Sequence, residues 1–273
     1  MSYIDVSGLS FGYTNDSLLF SNITLSFNLG EQVAIIGQNG SGKTTLVKLL
    51  NGMLKPQKGR INISGESTSD KSIADIATKI GFVFQNPNQM LFTNTVEKEL
   101  ALSLFRLNIG KKEQDLRINE MLSFFDLEHY RNTHPRNLSR GEKQKLALAT
   151  VLIQEPQAIV LDEPFSGIDF KQRENLAKYI RILSEEGKLI ILITHNIDSI
   201  LENCSRVIAL DEGQITYDLP INDFIMDETS LSKIGLMPTN YLKMLYKLRN
   251  IGLPREIYRK KDLIEYFKQN LER

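Results

Sequence analysis

The chain begins with apolar and polar positions in alternation. Ile4, Val6, Leu9 and Phe11 form one such run, and Ile23, Leu25, Phe27 and Leu29 form a second. A period of two sends every second side chain to the same face, so this stretch predicts antiparallel strands with one face toward water. The pattern then changes. VAIIG, AIVLD, LIILIT and RVIAL are short runs, apolar throughout and separated by helical stretches. They predict parallel strands buried on both faces and therefore an α/β core. Between Thr95 and Pro135 the residues are charged and helix-prone, with periodic Leu and Phe and no strand signal, so a mostly helical insert is predicted there. After Asp218, the segment KMLYKLRNIGLPREIYRKKDLIEYFKQNLER reads as two amphipathic helices separated by Gly252 and Pro254. No internal repeat or low-complexity segment is visible.

Composition narrows the classes. A chain of 273 residues can form one large core with a smaller appendage. Lys plus Arg and Asp plus Glu both number 33, so the balance of charge argues against a nucleic-acid partner. The longest apolar runs, such as LIILI at 189–193, fall far short of the ~20 residues that cross a bilayer. With no signal-peptide pattern at the N-terminus, the expectation is a soluble protein of the cytoplasm. The single cysteine, Cys204, lies between a polar helix end and an apolar strand. It excludes an internal disulfide and is expected to be a small buried hydrophobe.

Candidate chemistry centres on GQNGSGKTT, residues 37–45, directly after the strand QVAII and opening the helical run LVKLL. This is the strand–loop–helix setting of a P-loop. Gly37, Gly40 and Gly42 allow backbone conformations that other residues resist, so that successive N–H groups, those of Asn39 and Ser41 among them, can converge on a phosphate at the helix start. Lys43 is expected to neutralise the β- and γ-phosphates. Thr44 is placed to give its hydroxyl to Mg²⁺, and Thr45 to support the loop. The expected ligand is a nucleoside triphosphate with magnesium. AIVLDEP, residues 158–164, supplies the matching half: a buried strand that delivers Asp162 and Glu163 to the carboxyl edge of the sheet. Asp162 is expected to hold Mg²⁺, and Glu163 to accept a proton from the attacking water or orient it. A second helix start suited to an anion, LSRGEKQK at 138–145, exposes Ser139 and Gly141.

Together these three stretches resemble the ATP-binding cassette family. The resemblance covers residues 4–215 and implies an ATP-hydrolysing P-loop α/β core with an antiparallel β subdomain and a helical subdomain at about 94–140. It places the cassette in residues 1–217 and a C-terminal helical appendage in 218–273. By the resemblance, Tyr13 is the adenine-stacking aromatic and Gln85 in VFQNP the glutamine loop, a metal ligand with a catalytic part. Ser139, Gly141 and Glu142 form the signature, Asp169 in SGID the D-loop and His195 in LITH the catalytic switch histidine. Arg140 stands where the family more often has glycine, and Glu142 where glutamine is commoner. His129 and His134 have no partner at ligand spacing and are expected to be structural or surface residues. Cassettes of this family dimerise head to tail, with each ATP between one P-loop and the other chain's signature. The second anion-holding helix start is thereby expected to meet ATP carried by a second ABC ATPase, identical or different.

FQNPNQMLFTNTVEKEL, residues 84–100, resembles the ATPases of energy-coupling factor importers. There this segment meets the membrane subunit and acidic residues receive arginines from it, so Glu97 and Glu99 are candidates for that role or, equally, for a solvated face. The closing helices resemble that family's dimer-holding segment, and their basic residues suit either lipid headgroups or solvent. The implied function is ATP-driven uptake of a vitamin or a transition metal ion at the cytoplasmic face of the membrane. A transmembrane scaffold subunit and a substrate-capturing membrane subunit would be its partners. The ATPase of an ordinary importer is the first alternative. A soluble cassette acting on DNA or ribosomes is a second, disfavoured by the neutral charge, the single cassette and the lack of room for a long coiled coil between Lys43 and Leu138.

Overall fold

The structure, a computed structural model, describes residues 2–14 and 17–271. The chain runs through β1 (Ile4–Phe11), β2 (Phe20–Phe27), β3 (Gln32–Ile36), α1 (Lys43–Leu50), β4 (Lys58–Ile63), β5 (Glu66–Ser67), α2 (Ile73–Ala77) and β6 (Ile80–Val83). It continues through α3 (Val96–Leu104), α4 (Lys111–Phe124), α5 (Arg140–Leu152), β7 (Ala158–Asp162), α6 (Phe170–Glu185), β8 (Leu189–Ile193), α7 (Ile197–Asn203) and β9 (Arg206–Asp211). The last elements are β10 (Gln214–Pro220), α8 (Ile221–Phe224), α9 (Ser230–Lys233), α10 (Asn240–Arg249) and α11 (Lys260–Leu271).

Two sheets result. The first has the order β2-β1-β4-β5 and is antiparallel. The second has the order β10-β9-β3-β8-β7-β6, parallel except for its edge strand β10. Strand residues of the second sheet go alternately to its two faces. Val33, Ile35, Val160, Ile191 and Ile208 join one apolar cluster with the inward side chains of β1 and β2 and with α1. Ala34, Ile36, Ile159, Leu161 and Leu192 join the other, with α3 to α6. Both faces being covered is why these strands read as unbroken apolar runs, whereas β1 and β2, with one face toward solvent, alternate. The helical insert predicted between Thr95 and Pro135 is α3 and α4, which lead into α5.

The C-terminal helices belong to the same core. Leu242, Leu245, Tyr246 and Leu253 are buried in one cluster with Ile197, Ile200 and Leu201 of α7 and with Cys204. Burying a leucine fully stabilises by about 1.5–3 kcal/mol. Polar contacts fix the register: the Thr239 hydroxyl donates to Asp198 at 2.6 Å and the Lys260 N–H to Glu202 at 3.0 Å. At Gly235 (φ +66°) a Cβ would overlap the end of the Gln38 side chain, so this segment also lies against the loop after β3. Cys204 is buried and its thiol is pushed up to about 12 by that burial.

Candidate nucleotide site

The parallel register decides where the chemistry gathers. In β7 and β8, Asp162 is paired with Ile193; in β3 and β8, Ile35 is paired with Ile193; in β6 and β7, Val83 is paired with Leu161. Four strands therefore end on one line. The P-loop follows β3, Gln85 follows β6, Asp162 closes β7 with Glu163 after it, and Thr194 and His195 follow β8. These ends open onto a cavity of about 710 Å³ lined by Tyr13, Asn39, Gly40, Gly42, Lys43, Thr44, Thr45, Gln85, Asp162, Glu163 and His195.

Within the loop, Gly40 and Gly42 have φ of +87° and +107°, a region open to glycine at little cost. Gly37 has no room for a side chain, because a Cβ would overlap the Leu210 carbonyl. Gly42 caps α1 without a side-chain hydrogen bond, which leaves the first N–H groups of the helix for an anion. Lys43 Nζ donates to the carbonyls of Gly37 at 2.8 Å and Gln38 at 2.7 Å. Burial lowers its pKa, against the opposing pull of Glu163 and Asp162. Ser41 Oγ is buried with no hydrogen-bond partner among the described residues. Thr44 is exposed toward the cavity, while Thr45 is buried and its hydroxyl lies 3.0 Å from that of Tyr13.

Burial, and then the like charge of Glu163, push the Asp162 carboxyl up to about 6, partly offset by Lys43. A divalent cation would relieve this crowding. Thr44, Asp162 and Gln85 offer oxygen donors at the same cavity, the donor type Mg²⁺ requires. Glu163 adopts φ +47°, rare for a residue with a side chain. Its backbone N–H donates to Ile193 O at 2.8 Å. Its carboxylate accepts from the Thr194 hydroxyl at 3.1 Å and the His195 N–H at 3.0 Å, and lies 2.6 Å from His195 Nδ1. The carboxylate is mostly covered and the imidazole mostly open.

Ser139, Gly141, Glu142 and Asp169 do not line this cavity. Ser139 caps α5 in a reciprocal box with Glu142: the Glu142 N–H donates to Ser139 Oγ at 3.3 Å, and the Ser139 N–H to the Glu142 carboxylate at 2.7 Å. Asp169 caps α6 through the Gln172 N–H at 2.9 Å. Tyr13 is 64% exposed at the cavity rim, its ring edge-on to Phe11.

Thr194 escaped sequence reasoning, being a single threonine at a strand end. Glu99 was legible only in part. It is 2% exposed, and its carboxylate accepts from the N–H groups of Phe92 and Thr93 at 2.7 to 3.1 Å and from the Thr93 hydroxyl at 2.8 Å. It therefore is not part of a solvated face: its oxygens hold the loop before α3, and it lines the groove beside that loop. Glu97 pairs with Arg131 at 2.6 Å. His134 Nδ1 accepts from the Arg136 N–H at 3.1 Å, and among the described residues no cluster of His, Cys, Asp and Glu suits a metal by itself. Among the described residues no helix is long and apolar enough to cross a membrane.

Comparison with known proteins agrees with this geometry. The family profile described as ABC transporter matches residues 20–166. A Pyrococcus abyssi protein that carries the name ABC transporter ATP-binding protein is 38% identical over 246 residues, 90% of this chain and 94% of its own length. The energy-coupling factor transporter ATP-binding protein EcfA2 of Clostridium perfringens is 35% identical over 266 residues, 93% of each chain. Among solved structures, cbiO1 of Clostridium perfringens, part of the ABC transporter complex cbiONQ, superposes with a TM-score of 0.76 at 29% identity, covering 90% of this chain and 99% of that one. An ATP-binding cassette in a dimeric post-hydrolysis state with ADP and Pi gives 0.70 at 27% identity, covering 80% and 98%. The chain belongs to the ABC transporter family. Within it, the chain is an ATP-binding, ATP-hydrolysing subunit.

Proposed function

We propose that this chain is the ATPase of an energy-coupling factor importer for a vitamin or a transition metal ion, held at the cytoplasmic face of the membrane by separate membrane subunits. The observation that carries the reading is an apolar groove of about 330 Å³ beside the Gln85 loop, lined by Met53, Ile73, Phe84, Met90, Phe92 and Leu102 among others. Phe92 is 75% exposed in it. A short helix of a transmembrane scaffold fits such a groove, and likeness to EcfA2 and to a member of the cbiONQ complex supports a scaffold of this type. A substrate-capturing membrane subunit completes the assembly.

In this reading Lys43 and the loop N–H groups hold the triphosphate, and Tyr13 stacks on the base. Thr44, Asp162 and Gln85 would hold Mg²⁺, which would supply positive charge to neutralise the phosphate oxygens. Glu163 takes a proton from the attacking water or orients it, and His195 stays beside it through the 2.6 Å contact. Ser139, Gly141 and Asp169, outside the chain's own cavity, serve ATP on a second ABC ATPase. Closure and cleavage would then be felt at the groove next to Gln85. The test is copurification from native membranes. A transmembrane scaffold plus a small membrane protein should come with the wild-type chain, and Phe92→Ser should release both while retaining ATP binding. Isolation with a soluble binding protein in place of the small membrane subunit would assign the chain to an ordinary importer.

A further inference from the structure

The starts of α5 and α6 clasp each other through Arg140, Gly141, Gly167 and Gln172, none of which lines the nucleotide cavity. From α5, the Arg140 guanidinium lies on Gly167, where a Cβ would overlap Cζ and stand 2.8 Å from Nε. From α6, the half-buried Gln172 carboxamide lies on Gly141, where a Cβ would overlap Cδ, Nε2 and Oε1 together. Each helix start thus sets a long side chain on a glycine of the other. Gln172 is tied to its own loop as well, since its N–H donates to Asp169 Oδ1 at 2.9 Å. The clasp therefore runs from Ser139 and Gly141 on one side to Asp169 on the other. Gly167 has φ +70°, so the loop turns there at the point where the flat guanidinium rests. A lysine ammonium, compact and strongly hydrated, cannot replace that planar contact.

We propose that Arg140 and Gln172 are positioning residues that lock the start of α5 to the Gly167–Asp169 loop, so that one chain offers both to its neighbour's triphosphate as a single rigid unit. The physical gain is ordering in advance. Immobilising a long side chain at an interface costs conformational entropy each time two surfaces meet, and here both side chains, the exposed Arg140 included, already rest on glycines of their own chain. The inference rests on the shared-site reading above and names the residues that make the shared half rigid.

The test compares Arg140→Ala, Arg140→Lys, Gln172→Ala and Gln172→Met in the purified ATPase, with kcat, KM for ATP and Tm measured for each. Arg140→Ala and Gln172→Ala should lower kcat about three- to tenfold with KM unchanged within about twofold, because the chain's own P-loop is untouched. Arg140→Lys should be as slow as Arg140→Ala, and Gln172→Met, which keeps the length, should recover most of the rate. Full activity of Arg140→Lys would show that charge rather than the clasp matters and would overturn the proposal. So would full kcat in Gln172→Ala, or a loss confined to Tm. Ser139→Ala serves as the control. If it hydrolyses ATP at the parental rate, the shared site itself fails; if it is slow while both clasp variants are fast, only the clasp fails.

Discussion

The two anion-holding helix starts of this chain, at α1 and at α5, are built in opposite ways. Gly42 leaves α1 without a side-chain cap, and the strand ends around it bring Lys43, Thr44, Asp162, Glu163 and His195 to one cavity. Ser139 closes α5 with a complete capping box, and neither it nor Gly141 lines that cavity. The first gathers open N–H donors, a lysine and carboxylates at one cavity; the second is capped within its own chain, and in the function proposed above it serves a neighbour's nucleotide. The difference teaches that a phosphate-binding residue type is not enough. Whether the neighbouring elements leave its donors open within the same chain decides which nucleotide it serves.

Several substitutions sharpen the contrast. Glu163→Gln should lower turnover by about 10²–10⁴-fold, the range of a lost general base, while ATP binding is retained and the closed form accumulates; parental turnover would refute the assignment. Lys43→Ala should weaken nucleotide binding about 100-fold, or ~2.7 kcal/mol, measured by equilibrium titration. Ser139→Ala should slow hydrolysis about tenfold, as expected for one hydrogen bond to a charged group, yet leave binding of the first ATP unchanged. Mixing it with a partner that carries an intact signature should restore the rate.

The smallest effect concerns pH. Asp162 has a folded-state pKa raised from 3.8 to about 6, so in the nucleotide-free chain its charge destabilises the fold. The penalty is absent below about pH 4, grows between about 4 and 6, is complete above, and is reduced by solvent screening at this partly open position. Asp162→Asn should therefore raise the Tm of the nucleotide-free protein at pH 7.5 and leave it unchanged near pH 4. The magnesium requirement of the wild-type enzyme should increase as pH falls through about 6, because a proton competes for the same carboxylate.

Much of this was legible in the chain itself. Alternation in β1 and β2 and unbroken apolar runs in β3, β7, β8 and β9 exposed the two kinds of sheet, because covering one face or two leaves different patterns. β6, IGFV, is too short and its glycine too neutral to stand out, and β10 alternates weakly at an open edge, burying no residue fully. Long-range facts were hidden altogether. That Glu99 would fold inward to hold the Phe92–Thr93 backbone depends on where the preceding loop returns, and an acidic residue beside Glu97 reads the same whether solvated or buried. The clasp of Arg140 on Gly167 joins residues far apart in the chain. In the sequence it appears only as an arginine where glycine is commoner.

The central claim is that ATP on one chain is hydrolysed only when another chain's α5 closes over it. Turnover per chain, followed by light scattering across a dilution series of the purified ATPase, tests it most directly. Turnover is expected to fall at least about tenfold as the scattering mass drops to that of single chains. A rate that stays constant while the species in solution are single, nucleotide-loaded copies would contradict the account.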